Sequence, residues 1–318
     1  MDERLRPRGS GACHVCGPSP PPRSRSLTVT GTRAEQNREV TPKRDANRTR
    51  LLPRSLRLRP LAALVFKFVK ADGDFTLLSK GPAKRQAVEG KVVWITGASR
   101  GIGEILAKQF AALGAKLILS ARNKEELERV KNEIKSKYPA AGVEVLPLDL
   151  ASGEEALNKG VQEAESLFSD AGVDFMIHNA AFERPKKLAL EETEDGTEAM
   201  FRVNVLGTIA LTRLLAPYML DRGKGHFVVM SSAAGKTPAP GQAIYSATKY
   251  ALNGYFHTLR SELCQKGIGV TVICPGPIQT ENSAGGSEKR VPSERCAELT
   301  IIAATHGVKE AWISYQVF

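Results

Sequence analysis

With 318 residues, 42% of them hydrophobic and 25% charged, the chain can bury one large core or two small ones, which excludes a fibrous or wholly disordered protein. The formal net charge of +11 is unevenly spread: the first sixty residues hold thirteen Arg and one Lys against five acids, which is +9 and leaves +2 for everything after Pro60. The basicity belongs to a tail, which argues against nucleic acid as the partner of the body.

That tail, residues 1–60, is rich in Pro, Ser and Arg and poor in large apolar groups, so it is expected to stay disordered. Organelle targeting is the preferred role; a basic arm for nucleic acid or anionic lipid, or no function, ranks below it. Cys13 and Cys16 make half a metal knuckle with no second Cys or His pair at a suitable distance, so no metal is expected. The five cysteines are odd in number and scattered, which points to a reducing compartment or a cytosolic face. Residues 61–87 read as an apolar stub and linker. Within them Leu61 to Val69 is apolar apart from Lys67, and nine residues fall short of the roughly 20 that span a bilayer.

From residue 88 onward apolar runs alternate with helical stretches, which predicts one α/β domain over 88–318. Strands are expected to begin near Lys91, Lys116, Val143, Val173, His226, Ile268 and Glu310, giving a Rossmann-type, doubly wound, seven-stranded parallel sheet. The first strand, Val92 to Ile95, runs into Thr96, Gly97, Ala98, Ser99, Arg100, Gly101, Ile102 and Gly103 and then a helical pattern from Ile105 to Leu113. In such a strand, turn and helix, Gly97 permits the tight turn, Gly101 lets backbone approach a pyrophosphate, and Gly103 allows helix to pack on strand. The second strand ends at Ser120, Ala121, Arg122, Asn123, with no carboxylate until Glu125. Arg100 and Arg122 can both reach a 2′-phosphate, so NADP(H) is preferred over NAD(H). A run Val145 to Leu148 is expected to be a strand closed by Asp149.

The run Phe227 to Met230 reads as a buried strand, placing Ser232 at the carboxyl edge of the sheet, where ligands bind in open α/β folds. Its hydroxyl can donate to a carbonyl oxygen without ionising. A helix is expected from Ala243 to Gln265, with Tyr245 and Lys249 four residues apart on one face. A cation about 5.5 Å away is worth on the order of 3 kcal/mol at an effective dielectric of about 20, which offsets most of the cost of ionising the phenol and makes Tyr245 a general acid or base. A Tyr and a Lys at this spacing are common in helices; the glycine turn and Ser232 give the pair its meaning. Leu252, Tyr255 and Leu259 make an apolar stripe that either packs on the sheet or forms a dimer surface. Residues 279–290, rich in Gly, Ser and charge, read as a substrate lid or a plain surface loop.

Taken together, Thr96 to Gly103, Asp149, Asn179 with Ala180, Asn204, Ser232, Tyr245 with Lys249, and Pro275 with Gly276 and Thr280 resemble the short-chain dehydrogenase/reductase family over about residues 70–317. Stretches such as 70–80 and 94–119 are similar to its member-7-like branch in the plant form. The resemblance implies a catalytic tetrad of Asn204, Ser232, Tyr245 and Lys249, with Asn204 holding a water that passes protons to Lys249; Tyr245 and Lys249 would also contact the cofactor, Lys249 through the nicotinamide ribose hydroxyls. It also implies that Asp149 and Leu150 lie near the adenine and that Asn179, Ala180 and Ala181 line the cofactor groove. Pro275, Gly276, Ile278 and Thr280 would lie near the nicotinamide. Two departures stand out: His178 replaces the family's first Asn and Ala181 its last Gly, and His178 is read as structural. The expected activity is NADP(H)-dependent interconversion of a carbonyl and an alcohol on an apolar small molecule, lipid, steroid or retinoid-like, by a possible homodimer. Alternatives are a 3-oxoacyl-carrier reductase, with Lys289 and Arg290 meeting an acidic carrier, and a non-catalytic NADP(H)-binding scaffold. Relatives in this branch carry a longer apolar anchor and extra C-terminal segments. Membrane association without a spanning helix, on the cytosolic face of the endoplasmic reticulum or free in the cytoplasm, is therefore an expectation, as is a substrate pocket short of one wall.

Overall fold

The computed structural model describes residues 71–169, 171–279 and 289–315, which lie within one compact unit. The described residues begin with two short helices, α1 (Phe75–Leu78) and α2 (Arg85–Val88). Both are anchored. Leu77 and Val88 are buried, Arg295 pairs with Asp72, and Asp74 exchanges hydrogen bonds with the backbone of Trp312 at 2.6 and 3.0 Å. The stretch read as a linker is therefore packed from Ala71 onward, because its apolar residues find a place on the fold.

Seven parallel strands follow, β1 (Val92–Thr96), β2 (Lys116–Ser120), β3 (Val143–Val145), β4 (Phe175–His178), β5 (Gly225–Met230), β6 (Ile268–Pro275) and, last in the chain, β9 (Glu310–Ile313). Their order across the sheet is β3-β2-β1-β4-β5-β6-β9. Because β1 pairs with both β2 and β4, the chain reverses direction across the sheet at β1, and the crevice above the carboxyl ends of β1 and β4 is where ligands of such sheets bind. The strands are buried on both faces and read as near-continuous apolar runs, as parallel strands must when helices cover both sides.

Those helices are α3 (Gly101–Ala112), α4 (Lys124–Lys137), α5 (Glu154–Ser166), α6 (Glu194–Phe201), α7 (Thr208–Asp221), α8 (Ala243–Leu263) and α9 (Ser293–Thr305). One core layer gathers Leu106, Phe110 and Ile302 on one face of the sheet; the other gathers Leu157, Leu211, Phe227 and Phe256 on the opposite face. The helical run Glu194–Asp221 is apolar and long enough to cross a membrane by length and composition alone, yet Leu211, Leu215 and Met219 within it are buried in this second layer.

One boundary needs correction, one open reading is narrowed, and one reading falls mostly outside the described residues. The third strand ends at Val145 rather than at Leu148, although Leu146 and Leu148 still donate to the carbonyls of Leu119 and Ala121 at 2.9 and 3.0 Å, so the chain stays extended up to Asp149. The stripe on α8 is not a free outer face: Leu252 is buried and Tyr255 and Leu259 pack against the second core layer. A small extra pair, β7 (Ile278–Gln279) with β8 (Val291–Pro292), closes the base of the stretch read as a lid, and residues 280–288 of that stretch, Thr280 among them, lie outside the described residues.

Candidate active site

The turn after β1 is built by backbone. Gly97 and Gly101 hold φ of +66° and +60°, which glycine adopts without penalty. At Gly97 a Cβ would lie 2.8 Å from the Cα of Ala180, and at Gly103 it would overlap the Gly97 carbonyl and the Asn179 side chain, so α3 could not approach β1 and β4. At Gly101 nothing lies within 4 Å, which leaves the approach to the helix open. Asn179 stitches the turn from the other side. Its Nδ2 donates to the carbonyls of Thr96 and Gly97 at 3.0 and 3.2 Å, while Thr96 Oγ1 accepts from the backbone of Asn179 and Ala180. Arg100, the N-cap of α3, makes no side-chain capping bond, so the first amides of the helix keep their donors for an anion.

Paired in register as Thr96 and Ser120, β1 and β2 deliver Arg100 and Arg122 to the same edge. Both are exposed, and neither side chain has a hydrogen bond or ion pair among the described residues. Arg129, by contrast, is fully engaged. It bonds Glu104, Glu126 and Glu133 and donates from Nη2 to the carbonyl of Ser99 at 3.1 Å, tying α4 to the glycine turn. Burial alone would raise the Glu104 carboxyl, but hydrogen bonds from Arg129 and Lys108 hold it below its ordinary value. This clamp went unread in the sequence; the charges recur three and four residues apart on two helices, but only the fold shows that both helices share them. Asp149 is half-buried, and its Oδ1 accepts from the Ala151 amide at 2.9 Å. Leu150 is buried with its carbonyl against Gly207, where a Cβ would overlap it.

Across the crevice the site is made of side chains. Ser232, just past β5, accepts from the Ala234 amide at 3.1 Å and donates to the carbonyl of Pro275 at 3.5 Å, and its hydroxyl acts to lower the Tyr245 phenol. Tyr245 and Lys249 lie in the first two turns of α8, with Lys249 Nζ 5.4 Å from the centre of the Tyr245 ring and donating to the Met230 carbonyl at 2.9 Å. Burial pushes the phenol up to about 12, the carboxylate of Glu183 adds to that, and the Ser232 hydroxyl pulls the other way. The lysine is driven down to about 8 by burial, with Glu183 and Cys274 opposing. In this state burial of the phenol, with the Glu183 carboxylate acting in the same direction, outweighs any lowering by the neighbouring lysine.

Asn204 sits in a π-helical turn, Arg202–Gly207, the kind of local widening that recurs at functional sites. It is buried, and its amide clamps the backbone of Phe182, accepting from the amide at 2.6 Å and donating to the carbonyl at 2.9 Å, with a further 3.4 Å contact to Thr248. Its side chain thus fixes the segment that follows β4. His178 is structural: enclosed by Phe227 and Phe256, it shares a 2.8 Å bond with Thr212 Oγ1 and is pushed by burial down to about 3, hence neutral. Ala181 is exposed, Ala180 packs beneath the glycine turn, and Pro275 ends β6, with Gly276 and Ile278 just after it, at the same edge as Ser232.

A backbone cradle with free donors on one side of a switch-point crevice and a Tyr, Ser and Lys on the other is what a nucleotide-dependent redox site requires. The family model for short chain dehydrogenases matches residues 91–290. The chain belongs to that family. It is 36% identical over 280 residues to dehydrogenase/reductase SDR family member 7 of Homo sapiens, covering 81% of each protein, and 39% identical over 201 residues to a Drosophila melanogaster family protein 7-like, covering 63% of this chain and 60% of that one. Among solved structures, an L-sorbose reductase from Gluconobacter frateurii complexed with NADPH and L-sorbose superposes with a TM-score of 0.64 at 26% identity, covering 70% of this chain and 94% of that one. A metagenomic short-chain oxidoreductase in complex with NADP gives a TM-score of 0.62 at 26% identity, covering 73% of this chain and the whole of the other. The protein is an oxidoreductase of this family, whose members act on small molecules.

Proposed function

We propose that the chain is an NADP(H)-dependent carbonyl reductase, or the corresponding alcohol dehydrogenase, for an apolar small molecule, and that residues 88–318 carry this activity. The observation that carries the reading is the Ser232, Tyr245 and Lys249 cluster facing a glycine turn flanked by two free arginines. The residues fit the cofactor: Gly97, Gly101 and Gly103 open a path for a pyrophosphate, Arg100 and Arg122 would offer forked donors to a 2′-phosphate, and Lys249 would hold the ribose hydroxyls. NADPH, when bound, supplies the hydride that reduces the substrate carbon.

In the reducing direction the Ser232 hydroxyl donates to the carbonyl oxygen, and Tyr245 releases its proton to that oxygen as negative charge develops there. A phenol raised to about 12 is fully protonated at neutral pH, so the acid is ready. The phenolate left behind is stabilised by Lys249, which at about 8 is mainly charged at pH 7, and is then reprotonated from solvent. Asn204 keeps the 182 segment in place beside the reacting groups. A panel of apolar ketones and aldehydes, followed by loss of NADPH absorbance with Tyr245→Phe protein as the blank, tests this reading. Turnover is expected with the unaltered protein alone. NADPH binding without turnover of any carbonyl would favour the scaffold reading instead.

A further inference from the structure

The segment after β4 brings one carboxylate to the reacting groups. Phe182 is held at both its amide and its carbonyl by Asn204. Farther along, the Lys187 amide donates to the Gly241 carbonyl at 3.3 Å and Lys187 bridges to Gln242, so the segment is strapped to the start of α8 at its other end as well. Between these fixed points Glu183 Oε1 accepts from Gln242 Nε2 at 3.4 Å, three residues before Tyr245.

Of the four charged side chains in this stretch, Glu183, Arg184, Lys186 and Lys187, Glu183 is the one whose field reaches both Tyr245 and Lys249. Arg184 turns away toward Thr193, and Lys186 lies along Gly241. Glu183 is exposed, so its charge meets whatever enters the crevice rather than being spent in a buried pair. A substrate whose carbonyl oxygen rests between Ser232 and Tyr245 would share the crevice with that charge.

We propose that Glu183 is a specificity-determining residue, which turns away carbonyl compounds bearing a carboxylate or phosphate near the reacting carbon and admits neutral ones. The assignment rests on the carbonyl-reductase reading above and narrows its substrates to uncharged ketones and aldehydes rather than oxo acids. Two like charges several ångströms apart repel enough to cost about fivefold to tenfold in kcat/KM, even with solvent screening.

The probes are methyl 4-acetylbenzoate and 4-acetylbenzoate, which share a skeleton and differ by one charge. Unaltered protein should favour the ester, and Glu183→Gln should raise the acid-to-ester ratio of kcat/KM by about fivefold to tenfold, a ratio in which any change at Tyr245 and Lys249 common to both probes cancels. Gln242→Ala, which removes the hydrogen bond but keeps the charge, should retain the preference. Raising the ionic strength from 50 to 500 mM, a measurement that needs no variant, should shrink the unaltered protein's penalty against the acid by about threefold. An acid-to-ester ratio identical in unaltered and Glu183→Gln protein, or insensitive to salt, overturns the assignment and leaves the reductase reading standing. No turnover of either probe by any variant, with NADPH bound, overturns both.

Discussion

The two sides of the crevice are built on opposite principles. The β1 side is a backbone device: two glycines at positive φ, a third that admits no Cβ, and an Asn179 side chain that bonds the turn itself. The β5 side is a side-chain device, in which burial sets the proton affinities of Tyr245 and Lys249. Backbone can present amide donors and open space but cannot move a proton at neutral pH, whereas a phenol and an ammonium can. Substitutions should therefore divide cleanly, with the first side changing cofactor affinity and the second changing turnover or its pH dependence.

The sharpest break is expected at Gly103. A side chain there collides with the Gly97 carbonyl as well as with the Asn179 side chain, and the backbone of the turn cannot move aside, so Gly103→Val should weaken NADPH binding by at least about a hundredfold. Titration of NADPH by intrinsic fluorescence reads this directly. On the other side, Lys249→Met should lower kcat by about a hundredfold with NADPH affinity changed far less. The pH profile follows from the same residue: its charge is present below about 8 and lost above it, so the reduction rate should fall as pH rises through about 8. With Lys249→Arg, whose side chain keeps its charge at higher pH, that alkaline limb should move out beyond about pH 10. An unmoved limb would assign it to another group.

Smaller effects should fall on the arginines. Arg122→Ala should reduce the preference for NADPH over NADH by about tenfold, since a forked, charged donor to a 2′-phosphate is lost. Equal affinity for both cofactors in unaltered protein would remove the basis for assigning Arg100 and Arg122. Arg129→Gln should weaken NADPH binding by about fivefold with kcat unchanged, because the Ser99 carbonyl loses its donor and Glu104 its compensating charge at the mouth of the turn.

Local features of the sequence were the legible ones. The glycine turn, the Tyr245 and Lys249 spacing, and the strand that ends before Ser232 each express a short-range rule, and the alternation of strands with helices points to a seven-stranded parallel sheet. Contacts across the fold were not legible. The spacing within α8 shows Lys249 near Tyr245 but hides that both are enclosed by protein, which raises the phenol instead of lowering it. Likewise Arg129 reaches Ser99 from thirty residues away, and Glu183 reaches the site only because Asn204, twenty-two residues beyond Phe182, holds the intervening backbone. The short helices at 75–88 carried too weak a periodic signal to be separated from a linker, and their anchoring depends on Trp312 near the far end of the chain.

The division between a binding side and a proton side is tested most directly at Tyr245, by measuring NADPH dissociation constant and kcat side by side for unaltered and Tyr245→Phe protein. The account predicts a kcat lowered by about a thousandfold with an NADPH affinity within about threefold of the original, since the phenol's proton is lost and the glycine turn is untouched. A variant that retains most of its turnover, or one that loses NADPH binding in proportion to its activity, would contradict it.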